Sequence, residues 1–67
     1  MTVAQHYSID KSLVDKCIKK ADHALYEKSQ DYWLKCAQFV KESLNKYYEF
    51  FNYKQRNWLQ RIIEETR

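Results

Sequence analysis

The chain contains no glycine and no proline. Tight β-hairpins, phosphate-cradling loops and dinucleotide-binding turns rely on glycine at positive φ, so folds built on them are excluded. Long hydrophobic runs are also missing. The apolar stretches are only a few residues long, against the ~20 needed to cross a bilayer, and no signal peptide is visible. The expected location is therefore the cytoplasm. Cysteine occurs only twice, as Cys17 and Cys36, which in a reducing compartment are thiols. No charge of one sign dominates. Twelve basic residues and nine acidic ones are interleaved along the chain, giving a net charge of +3, which argues against a basic nucleic-acid arm.

Sixty-seven residues make one domain. A chain this short buries only about 60% of its unfolded surface, and such domains often recover stability by oligomerising or by binding a partner. What the sequence has in plenty is aromatic surface. Ten of its eleven aromatic residues lie between Tyr26 and Trp58.

The organising stretch is Gln30 to Phe51. At the helical period Trp33, Cys36, Ala37, Val40, Leu44, Tyr47 and Phe51 share one face. Tyr32, Phe39 and Phe50 widen that face on one flank and Tyr48 on the other. The apolar arc covers roughly half the circumference, where one packed neighbour needs only about 100°. Such a helix packs on two neighbours, or on one neighbour and a partner. Ser29 is placed to cap its start, with Asp31 at the positive end of the dipole.

Before it, Leu13, Val14, Cys17, Ile18, Ala21, Ala24 and Leu25 follow the helical rule. Asp10 is the expected cap, with Ser12 and Asp15 as a rival start, and Lys28 closes the helix. Met1 to Tyr7 shows no periodicity and reads as a frayed lead-in, from which Tyr7 or Ile9 folds back onto the core. After the central helix, Asn52 and Gln55 have capping-box spacing ahead of Trp58, Leu59, Ile62 and Ile63. No breaker separates the first two helices, so a continuous helix stays open as an alternative to a turn there. The expectation is an all-α fold, a three-helix bundle or a helical hairpin plus a short third helix, with helices at about 11–28, 30–50 and 53–65.

The pattern Phe39-Val40, Ser43-Leu44, Phe51, Lys54-Gln55, Trp58-Leu59 and Ile62 resembles a segment of small helical phage and mobile-element proteins. In phage replication and recombination-associated proteins an F-V-x-S-L helix precedes a turn, a K-Q pair and a W-L-x-x-I helix. The likeness covers fewer than half the residues and departs at the turn, where Asn52-Tyr53 stands in place of the usual Ser or Thr cap. It implies a helical hairpin of phage type and no particular activity.

No catalytic constellation is present, so no enzyme and no cofactor are expected. Cys17 and His23 lack helical proximity and a third group, and the only paired carboxylates, Glu64 and Glu65, sit at a fraying end. His6, Cys17, His23 and Cys36 lack the close pairs of a structural zinc site. Both cysteines fit apolar faces as small hydrophobes, and if those faces meet, a disulfide becomes geometrically open. A nucleic-acid role is the alternative reading. It would use Lys16, Lys19 and Lys20 on the first helix with Lys54, Arg56 and Arg61 on the third, although acidic neighbours interrupt both groups.

Protein binding leads. Trp33, Phe39, Tyr47, Phe51 and Trp58 are assigned to the core. Tyr26, Tyr32, Tyr48, Phe50 and Tyr53 are left on flanks or at turns, where aromatic side chains are the usual anchors of an interface. The expected function is a non-enzymatic interaction module of phage type. It would act as an inhibitor or adaptor on host nucleic-acid or defence machinery, in the manner of an anti-CRISPR protein, or pair with itself as a homodimer.

Overall fold

Three helix starts are written in short polar motifs. Asp10 accepts a hydrogen bond from the Ser12 amide at 2.8 Å and opens a helix there. The Ser12 hydroxyl, together with that amide, holds the Asp10 carboxyl below the usual range. Asn52 and Gln55 cap one another reciprocally, the Gln55 amide donating to Asn52 Oδ1 at 2.9 Å and the Asn52 amide to Gln55 Oε1 at 3.1 Å. Thr2 and Gln5 form a second box of the same kind. The computed structural model describes residues 1–67 and holds four α-helices and no strand: α1 (Val3–Tyr7), α2 (Lys11–Asp22), α3 (Glu27–Ser43) and α4 (Tyr53–Glu65). A single 3₁₀ turn, Tyr48–Phe50, lies between α3 and α4. No helix is long and apolar enough to cross a membrane.

α2 and α3 form a hairpin across the link His23–Tyr26, and theirs is the closest helix pairing in the molecule. Beside Leu13 and Val40, the residues these two helices bury are small: Cys17, Ala21, Cys36, Ala37 and Ser43. Small side chains let two helices approach, which is why this pair is tight. α4 stands further off, at a distance set by the stacked rings of Phe39 and Trp58, whose centroids are 4.2 Å apart. Its Leu59 and Ile62 enter the same core and are fully buried.

The N-terminal residues are where the fold departs from expectation. Met1 to Tyr7 is not frayed. The Val3 amide donates to the Lys46 carbonyl at 2.8 Å, the Ala4 amide to Leu44 at 3.3 Å, and the Tyr48 amide to Met1 at 3.0 Å. Thr2 and Tyr47 form an isolated antiparallel bridge, and the Val3 side chain is fully buried. This strap also ends α3. The central helix was expected to reach residue 50, but it stops at Ser43: the Leu44 and Lys46 amides still bond back to Val40 and Ser43, while the Leu44 and Lys46 carbonyls and the Tyr48 amide take partners from residues 1–4. Ser43 assists by turning its hydroxyl back to the Phe39 carbonyl at 2.6 Å, a bond that competes with helix continuation. At the far end of α1, Ser8 takes a left-handed conformation (φ 55°) to close the helix, a place glycine usually fills.

The link between α2 and α3 is also displaced. α2 ends at Asp22 rather than near residue 28, with the His23 amide bonded to Lys19 and that of Ala24 to Ala21. α3 begins at Glu27, so Ser29 lies inside it and is not its cap. Glu27 and Lys28 are good helix formers, and once Tyr26 is extended nothing delays the helix to residue 30. Leu25, expected in the apolar stripe, falls in the link and is 92% exposed.

The strap is open to direct test. Val3→Ala should cost roughly 1.5–3 kcal/mol, since it removes most of a fully buried side chain. Thr2→Ala should cost about 1 kcal/mol through the lost cap. Chemical denaturation measures both, and a Val3→Ala change below ~0.5 kcal/mol, the range of exposed surface sites, would show that the segment is frayed after all.

Candidate interaction surface

The five aromatic residues expected to face a partner divide into two groups. Tyr32 and Tyr48 are half-buried against the core. Tyr48 is a tether. His6 stacks on one side of its ring at 3.6 Å, Tyr7 meets it edge-on at 5.8 Å, and the Arg56 guanidinium lies 5.3 Å from its centroid. Arg56 Nη1 also donates to Tyr48 Oη at 3.5 Å. Tyr48 thus joins α1 to α4, and its expected role as a free anchor gives way to this packing. Tyr32 packs edge-on against Trp33 and turns towards Cys36.

Tyr26, Phe50 and Tyr53 are exposed, at 73%, 81% and 74%. Tyr47 joins them. It was assigned to the core, but ending α3 at Ser43 removes it from the helical face, and it is more than half exposed. Tyr47 and Phe50 pair edge-to-face at 6.0 Å, and Tyr53 opens α4 three residues on. Residues 47–53 therefore carry three exposed rings, Tyr47 and Phe50 in contact and Tyr53 close by in the chain, beside backbone held by the strap. Tyr26 is not part of it. It sits with Leu25 at the opposite end of α3, roughly 25 Å away along a helix of this length. Of the other residues assigned to the core, Phe51 is buried, while Trp33, Phe39 and Trp58 are half-buried and packed against it.

The basic residues divide as well. Lys16, Lys19 and Lys20 line one cavity of about 290 Å³ with His23 and Thr66. Lys54, Arg56 and Arg61 do not line it, and Arg56 is engaged by Tyr48. The acidic neighbours that interrupt both groups form no ion pair with them. The one ion pair joins the N-terminal ammonium to Glu49 at 3.7 Å. A third surface is apolar and lies along the open side of the α2–α3 hairpin. Two adjoining hollows there, of about 570 and 560 Å³, share Val14 and Lys41 and include Ile9, Ile18 and Leu34.

The interior holds Cys17 and Cys36 as free, fully buried thiols, each close enough to influence the other. Burial pushes the Cys17 thiol up to about 11, with Cys36 adding to the rise. Burial also raises Cys36, while the Trp58 ring N–H and the Tyr32 hydroxyl act in the opposite direction. Trp58 Nε1 is buried and makes no hydrogen bond of its own. His6, Cys17, His23 and Cys36 do not converge.

Three measurements follow from these positions. Tyr48→Ala should lower stability by about 2–4 kcal/mol through lost ring packing and loosen α1, instead of acting only on a partner. Unchanged stability would return Tyr48 to the exposed set. Iodoacetamide should leave both thiols unmodified in the native state and modify both in denaturant, with the mass reporting each addition. Alkaline pH should destabilise the fold. Cys17 holds its proton more tightly when folded, so its contribution is intact below pH 9 and lost as pH rises towards 11. Tyr7 and Tyr32 are raised by burial and act in the same direction. Thermal melts across that range should fall, and a flat profile would contradict the burial of these groups.

Comparison with known proteins adds no relative: no family model, no curated protein and no solved structure matches this chain, and the likeness of residues 39–62 to phage segments rests on its residue pattern alone.

Proposed function

We propose that this protein is a non-enzymatic interaction module that binds a protein partner through Tyr47, Phe50 and Tyr53. The observation that carries this reading is Phe50, 81% exposed on a turn whose backbone is pinned by the strap. A large apolar ring in water costs free energy that docking recovers, and a rigid support lowers the entropy lost on binding. Aromatic rings gathered at one place are the composition of an interface centre. Tyr53 and Tyr47 add hydroxyls at the rim, where polar contacts give orientation.

Two forms of partner fit this patch. One is a second copy of the chain, giving a homodimer. The other is a host protein, on which a phage-type inhibitor or adaptor acts against nucleic-acid or defence machinery. Support for the second form is the residue pattern of the C-terminal half. Sedimentation across a concentration series separates the two, since only self-association depends on the chain's own concentration.

Phe50→Ala and Tyr53→Ala should each weaken the contact at least tenfold, the effect of a hot-spot residue of about 1.4 kcal/mol or more. Both residues are exposed, so helicity and melting temperature should stay within the small range of surface substitutions. Binding or dimerisation unaffected by either change would refute the assignment. Loss of helicity would instead place these rings in the fold.

A further inference from the structure

The end of the molecule away from the aromatic patch carries a different chemistry. Lys16, Lys20 and His23 follow at i, i+4 and i+7 on one stripe of α2, and Lys19 flanks them. With Thr66 they line one cavity, and a neighbouring hollow of about 250 Å³ shares Lys16 and Thr66 and brings in Arg67. None of these cations forms an ion pair, although Asp10 lines the second hollow and lies close enough to Lys16 for the two charges to attract. Asp15 and Asp22 lie on the same helix but make no ion pair with them. Glu65 influences Tyr32 and Cys36 on α3, so it belongs to the other side of α4. Lys19 and Lys20 also offset the partial negative charge where α2 ends, roughly half a unit, so with Asp10 beside Lys16 the positive charge left over is carried mainly by Lys19 and Lys20.

Three residues beyond His23 stands Tyr26, 73% exposed, with Leu25 beside it at 92%. The fold separates this ring from the patch at residues 47–53 and sets it in the link that follows the last, cation-bearing turns of α2. A cluster of cations with an exposed aromatic ring a few residues on is an arrangement that can grip unpaired nucleic acid, cations on the phosphates and the ring on a base. We propose that the Lys16–Lys19–Lys20–His23 stripe, with Arg67 and Tyr26, binds a single nucleic-acid strand. The contact proposed is to phosphate and base face, from lysine charges and an aromatic ring, neither of which selects one base over another.

The site is independent of the protein contact proposed above, because Tyr47, Phe50 and Tyr53 lie at the other end of the molecule. The test is fluorescence anisotropy with a short labelled single-stranded DNA of mixed sequence, titrated across a salt series. The slope of log affinity against log salt should fall by about 2 in the K16Q/K19Q/K20Q variant, at about 0.7 for each phosphate of a single strand that is no longer neutralised. Its affinity at low salt should drop more than tenfold. Tyr26→Ala should weaken binding roughly fivefold or more by removing one stacked base, with the slope unchanged. The K35Q/K46Q/K54Q variant removes the same charge elsewhere and should keep its affinity. Circular dichroism on each variant confirms the fold. Four outcomes would overturn the proposal: no binding by the unaltered protein, an equal loss in both triple variants, no effect of Tyr26→Ala, or binding of free nucleoside triphosphate to the same lysines without binding of a strand. Loss of protein binding in Phe50→Ala with strand binding intact would confirm that the two sites are separate.

Discussion

Three backbone hydrogen bonds between residues 1–4 and 44–48 are the constraint on which the remaining architecture depends. They carry Val3 into the core and give the amides and carbonyls after Ser43 partners outside a helix. Buried or half-buried backbone groups must be paired somewhere, so a segment offering partners from a distant part of the chain can end a helix without glycine or proline. Once α3 stops at Ser43, the chain turns through Tyr48–Phe50 and directs α4 back over the α2–α3 hairpin. The tether at Tyr48, stacked by His6 and approached by Arg56, secures the same junction through side chains. The strap, the junction and α4 are thus parts of one arrangement.

The core is small and unevenly packed. On α2 and α3 it combines Leu13 and Val40 with thiols and alanines, the small side chains permitting close approach. Between α3 and α4 rings join the aliphatic Leu59 and Ile62, with Phe39 stacked on Trp58 and tilted against Phe51. The aromatic half of the core holds α4 at a distance, and the remaining aromatic side chains have no interior left to occupy. This is why Phe50, Tyr53 and Tyr26 are exposed in a chain whose composition is rich in such residues. The excess is divided between the two ends of α3, with Tyr47, Phe50 and Tyr53 beyond one and Tyr26 at the other.

The helical class, the α4 cap at Asn52 and Gln55, the Asp10 cap and the burial of Leu13, Cys17, Val40, Leu59 and Ile62 were legible from spacing and local chemistry. These features depend on residues three or four positions apart, which a helix brings together whatever else the chain does. Phe50, Tyr53 and Tyr26 were legible as surface for the same reason. Tyr47 and Tyr48 were not. Their positions exchange once α3 is cut short, and the cause lies more than forty residues away at Thr2 and Val3. The Thr2–Gln5 capping box was a signal in the sequence for α1, but five residues are too few to show a period. The pairing of the α2 lysines with Thr66 and Arg67, in place of Lys54, Arg56 and Arg61, likewise depends on where α4 lies.

By itself the sequence determined that this chain forms amphipathic helices, where two of them are capped, and that it has more aromatic surface than its core uses. Those outcomes are set by local hydrogen bonds and by a periodicity that one turn of helix enforces. Only the tertiary structure decided where α3 ends, which rings are tethers and which are free, and which cations share a cavity. Those depend on contacts between residues remote in sequence, where the strap competes with helix extension and the winner is settled by burying Val3 and pairing the backbone of both segments at once.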